Sequence, residues 1–99
     1  MKGAPEGVER EVVRLAAAQP QVRRVLLFGS RARGDADPRA DVDLAVVAPG
    51  AEPRVWLDFA FRLEEIDSPV PVQVVRLEEA PAALRERVLE EGVVWYARN

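Results

Sequence analysis

Apolar residues recur at helical spacing near the start of the chain. Val8, Val12, Leu15 and Ala16 form one stripe, with Glu9, Arg10 and Arg14 opposite. This predicts a helix from Glu6 to Gln19, with Pro5 suited to the first turn and Pro20 stopping it. The pattern then changes to a β-branched, apolar stretch from Val22 to Phe28. Its unbroken run Val25-Leu26-Leu27-Phe28 predicts a strand buried on both faces. A second such run, Val42 to Val47, is broken by Ala48-Pro49-Gly50. Pro53 opens a helix with Trp56, Phe59, Ala60, Leu63 and Ile66 on one side, and Asp67-Ser68-Pro69 ends it. Val70 to Val75 reads as a third strand, with Pro71 near its start, where a missing donor is tolerated. Pro81 to Glu91 reads as a last helix with Leu84, Val88 and Leu89 inward and Gly92 as its C′ residue. Val93 to Tyr96 reads as a short edge strand. The expected class is α/β (α+β): a small mixed sheet flanked by helices, in one domain over residues 1–99.

The polar residues between the first two strands carry the candidate chemistry. The run is Leu27-Phe28-Gly29-Ser30-Arg31-Ala32-Arg33-Gly34, followed by Ala40-Asp41-Val42-Asp43-Leu44. Ser30 to Gly34 fits one helical turn, and Asp35 to Ala40 a loop. Residues two apart on a strand share a face, so Asp41 and Asp43 project together, with Cα atoms about 6.6 Å apart. Unpaired, two such charges repel by roughly 2.5 kcal/mol at an effective dielectric near 20. Aspartate is also a poor strand former, and a cation between the two would reverse the cost. Gly29 lets a backbone approach phosphates, and Ser30 offers its N–H and hydroxyl. The chain has only two serines, Ser30 and Ser68, and no threonine, so a serine here stands out from the composition.

Composition narrows the chemistry further. The chain lacks cysteine and histidine, which removes disulfides, Ser-His-Asp triads and the usual zinc sites. Acid–base or metal chemistry must use carboxylates, the hard ligands of Mg²⁺ or Mn²⁺. A net charge of −3 argues against a free-standing nucleic-acid binder, and direct nucleic-acid contact is not expected. Apolar runs are too short to span a membrane and the N-terminus has no signal-like core, so a cytoplasmic location is expected.

With these residues in place, the chain resembles the nucleotidyltransferase superfamily of DNA polymerase beta, and most closely its minimal nucleotidyltransferases. The family pattern is G-S-x-A-R-G, a loop, then S-D-x-D-L entering a strand. Here Gly29-Ser30-Arg31-Ala32-Arg33-Gly34 matches the first part, and Asp41-Val42-Asp43-Leu44 the second, with Ala40 in place of the serine. The Gly92-Val93-Val94-Trp95-Tyr96 tail is also similar. The resemblance implies a polymerase beta palm-like fold and transfer of a nucleotide, AMP from ATP, to a partner protein or small acceptor. It implies Asp41 and Asp43 as catalytic metal ligands, and Gly29, Ser30 and Arg33 as nucleotide-binding residues. Two Mg²⁺ ions about 3.5–4 Å apart would clamp the attacking and leaving oxygens.

In the family a third aspartate, in the strand before the last helix, completes the ion that activates the nucleophile. Here Gln73 occupies that position within Pro71-Val72-Gln73-Val74-Val75, with Asp67 and Glu78 as carboxylates near the ends of the strand. The resemblance further implies a separate helical partner of the HEPN type, often paired as toxin to antitoxin, in some pairs carrying AMP on a tyrosine. The alternative is a catalytically degenerate nucleotide-binding, antitoxin-like module. A P-loop switch is disfavoured, because no G-K-[ST] follows the glycine turn.

Some of these residues also have plainer readings. Gly29-Ser30 alone would suit a turn with a capping serine, and Asp41 and Asp43 alone a solvated strand edge. Arg31, Arg33 and Arg39 fit a solvated, charged loop. Trp56, Phe59 and Trp95 read as core or partner interface.

Overall fold

The computed structural model describes residues 3–99. The elements are α1 (Val8–Ala17), β1 (Arg24–Phe28), α2 (Ser30–Arg33), β2 (Val42–Val47), α3 (Pro53–Glu64), β3 (Val72–Arg76), a 3₁₀ turn (Leu77–Glu79), α4 (Ala82–Glu91) and β4 (Val93–Ala97). The strands form one mixed sheet in the order β3-β2-β1-β4. β1 runs antiparallel to both β2 and β4, while β2 and β3 are parallel. A parallel neighbour needs a crossover, and α3 supplies it.

Alternation along the strands splits the apolar residues between two layers. Val25 and Leu27 of β1 and Val42, Leu44 and Val46 of β2 face α1 and α3. There they meet Val8, Val12, Ala16, Phe59 and Leu63 in the larger core. Leu26 and Ala45 face the other way, onto Leu77 and Val88, with Phe28, Val47, Val75 and Leu84 around them. The second layer is thin: α4 and the 3₁₀ turn cover it in part. Asp43 and Gln73 are two residues from Ala45 and Val75 along their strands, so they lie on this less covered face.

Several boundaries and faces differ from expectation. α1 begins two residues late because Gly7 takes a left-handed conformation (φ 88°) and acts as N-cap. α3 stops at Glu64, before Asp67-Ser68-Pro69. Leu89, expected inward, is 62% exposed, since α4 lays only Val88 deeply against the sheet. Gly92 is extended (φ −68°, ψ 145°) rather than left-handed. It is required for space, because a side chain there would meet the Val88 carbonyl and Leu26. Arg31, expected in a solvated loop, is buried.

Candidate functional site

The site begins where β1 ends. Gly29 sits at φ 79°, ψ −158°, a region open almost only to glycine, and caps the single-turn helix α2. The N–H groups of Ser30 and Arg31 fall in the first turn, beyond the reach of any intrahelical carbonyl. The Gly29 carbonyl accepts from Ala32 and Arg33 at 3.1 Å each. Gly34 closes the turn in a left-handed conformation (φ 85°), its N–H on the Ser30 carbonyl at 3.0 Å.

Asp43 stands beside this turn. It pairs with Phe28 in the β1–β2 register, and a Cβ added to Gly29 would lie 2.6 Å from its Oδ2. The glycine therefore opens the space that the carboxylate occupies. Burial, and second the charge of Asp41, push the Asp43 carboxyl above its ordinary pKa. Among the described residues neither aspartate has a salt-bridge partner. Two carboxylates, one of them partly desolvated and neither paired with a basic side chain among the described residues, could donate to a hard divalent ion.

Gln73 is brought to the same place. β3 pairs with β2 so that Gln73 lies beside Asp43. Registered neighbours on adjacent strands share a face and stand about 4.8 Å apart. Gln73 is exposed there. The two carboxylates nearest in sequence are elsewhere. Glu78 accepts from the Ala48 N–H at 3.1 Å and from Arg76 Nε at 3.3 Å. Ala48 is at the far end of β2, five residues or about 16 Å from Asp43. Asp67 lines a hollow with Glu11, Arg14 and Phe61, on the helical side of the sheet. Among the described residues no three Asp, Glu, His or Cys side chains gather closely enough to hold a metal ion.

Arg33 projects outward from α2. Its Nη1 lies 3.0 Å from Glu91 at the end of α4, and its Nε 3.5 Å from Asp35. Glu91 next to the turn was not legible in sequence. It arrives because β4, which follows it, pairs with β1 as far as Leu27↔Val93, bringing the end of α4 to the end of β1. Arg31 turns inward instead and bonds to backbone carbonyls. The family pattern singles out Arg33 and leaves position 31 open, so the inward turn of Arg31 had no signal in sequence.

A four-stranded mixed sheet flanked by helices, with a Gly-Ser turn at the end of β1, matches the polymerase beta-like nucleotidyltransferase fold. The model of the family described as "Polymerase beta, Nucleotidyltransferase" matches residues 10–99, and the chain belongs to that family. A search of curated proteins finds no significant match. Among solved structures, the chain is similar to a protein classed as a minimal nucleotidyltransferase, at 32% identity and TM-score 0.68, covering 86% of each chain. It is similar to a chain in the crystal structure of a toxin–antitoxin with AMP-PNP, at 26% identity and TM-score 0.72, covering 92% of this chain and 74% of that one. The fold also matches a chain in a complex of tri-AMPylated Shewanella oneidensis HEPN toxin with MNT antitoxin, at 24% identity and TM-score 0.66 (92% and 71% covered). Among the described residues no helix is long and apolar enough to cross a membrane.

Proposed function

We propose that this chain binds a nucleoside triphosphate, ATP, with Mg²⁺ (or Mn²⁺), and passes AMP slowly to a HEPN-type partner protein. The observation that carries the reading is the meeting of Gly29 with the Asp43 carboxylate, with Asp41 close by and no protein cation between them. Asp41 and Asp43 would hold the ion that rides on the triphosphate. Gly29 and Ser30 would take the phosphates, and Arg33 would supply a further positive charge once freed from Glu91. When bound, the metal neutralises phosphate charge and lowers the barrier to displacement of pyrophosphate. The HEPN partner and the AMP cargo are supported by the similar toxin–antitoxin structures, one with AMP-PNP and one with an AMPylated toxin.

Gln73 sets the rate in this reading. An amide oxygen can ligate a cation, but it brings no charge and no basic site for the acceptor's proton. One ion with two carboxylates and phosphate oxygens fits the residues present. A second ion held by a third carboxylate does not. This favours a nucleotide-binding, antitoxin-like module as the second reading, with transfer reduced or lost. Calorimetric titration of ATP with Mg²⁺ into wild type, Asp41→Asn and Asp43→Asn tests the binding claim. Saturable wild-type binding, lost in both variants, supports it, and binding indifferent to both overturns it.

A further inference from the structure

Arg31 is the buried charged residue among those described, only 9% exposed. Its guanidinium makes no salt bridge there and instead spreads its donors over three backbone carbonyls. Nε donates to Ala40 at 3.0 Å, Nη2 to Pro38 at 2.9 Å and Nη1 to Gly3 at 3.1 Å. Ala40 immediately precedes Asp41. Arg31 immediately follows Ser30 and lies within the single turn α2. One side chain therefore spans from the phosphate turn to the backbone that carries the first aspartate.

The loop between them is built to receive it. Asp37 closes a tight turn, accepting from the Arg39 N–H on its side chain (2.8 Å) and from the Ala40 N–H on its carbonyl (2.9 Å). The Pro38 and Ala40 carbonyls of that turn both point to Arg31. On the far side of Ala40, the Val42 N–H bonds to the Pro71 carbonyl at 2.9 Å, which starts the β2–β3 pairing. Asp41 is thus held between two anchors, one in the sheet and one at Arg31. The guanidinium fork reaches these three carbonyls from three separate nitrogens in fixed directions, whereas a lysine ammonium gathers its three donors on one nitrogen.

We propose that Arg31 is a positioning residue: it fixes Asp41 relative to the Gly29–Ser30 turn, so that carboxylate and phosphate donors meet one ligand. The proposal rests on Asp41 being a metal ligand, but its structural half can be tested without any ligand.

The experiment compares wild type, Arg31→Lys, and a core variant chosen for an equal loss of Tm (Val12→Ala or Leu63→Ala), all well folded at the assay temperature. Amide hydrogen exchange is read at Ala40 and Val42 against the β1 amides, and Mn²⁺ affinity is read with Mn²⁺ alone. The expected result for Arg31→Lys is exchange at Ala40 and Val42 at least tenfold faster relative to β1, with Mn²⁺ affinity at least tenfold weaker. The core variant should change neither ratio. The proposal is overturned if Ala40 and Val42 keep pace with β1 in Arg31→Lys, or if the core variant reproduces both effects. Absence of Mn²⁺ binding by wild type would count against the metal reading of the aspartates, while the exchange comparison would still decide whether Arg31 sets the position of Asp41.

Discussion

Gln73 lies directly beside Asp43 across the parallel β2–β3 pair, on the same face of the sheet and open to solvent. In the proposed reading this is the place of a third acidic ligand, and what differs is one functional group. A carboxylate there would add a third negative charge to a face already carrying Asp41 and Asp43. Without a metal that face would be costlier to fold, because like charges raise one another's cost of ionisation.

The Asp43 carboxyl already shows that cost, and it has a consequence for stability. Its pKa is raised in the folded protein by burial first and Asp41 second. A raised carboxyl pKa means that ionisation disfavours folding above that pKa, and protonation relieves the penalty as pH falls through it. Asp43→Asn should therefore melt at a higher temperature than wild type at pH 7, in metal-free buffer. The gap should shrink as pH falls through the folded pKa towards the ordinary carboxylate value. Thermal melts across that range check it; a lower Tm for Asp43→Asn at pH 7 would contradict it.

Gly29 is constrained twice, by a backbone conformation that other residues adopt at a cost of roughly 1–3 kcal/mol and by the Asp43 oxygen where a Cβ would go. Gly29→Ala should lose stability by at least that amount and displace the Asp43 carboxylate. Denaturant unfolding measures the first effect, and Mn²⁺ titration of the folded fraction the second. An unchanged Mn²⁺ affinity would separate Gly29 from the site.

Ser30 should behave differently. Among the described residues no hydrogen bond of its hydroxyl is seen, and no buried polar side-chain atom lacks a partner. Ser30→Ala should leave the melting temperature unchanged and weaken Mg²⁺–ATP binding by about 1 kcal/mol, the worth of one hydrogen bond. Calorimetry against both ATP and ADP checks this. A loss of stability without a loss of affinity would make the hydroxyl structural.

Much of this arrangement could be read from residue order because its causes are local. Gly29 and Ser30 announced the turn, and Val42–Val47 came out with its observed ends. The misplaced features depend on the assembled sheet. The motif marks Arg33 but says nothing of where Arg31 points, and only the docking of α2 sends Arg31 into the protein and Arg33 to Glu91. Leu89 looks like a core residue until α4 is seen to cover just part of its face. Gln73 could be suspected from the family pattern, but its place beside Asp43 comes from the β2–β3 register. That same register shows why Asp67 and Glu78 do not take over the position.

The central claim is that the chain holds Mg²⁺–ATP and is slow in transfer because Gln73 brings no charge. The most direct measurement is single-turnover transfer of labelled AMP, by wild type and Gln73→Asp, onto a HEPN-type partner protein. The substitution shortens the side chain by one methylene and places a carboxylate at this position. The account predicts slow or undetectable wild-type transfer, and at least a tenfold faster reaction with Gln73→Asp, about 1.4 kcal/mol of barrier. Brisk wild-type transfer that Gln73→Asp leaves unchanged or slows would contradict it.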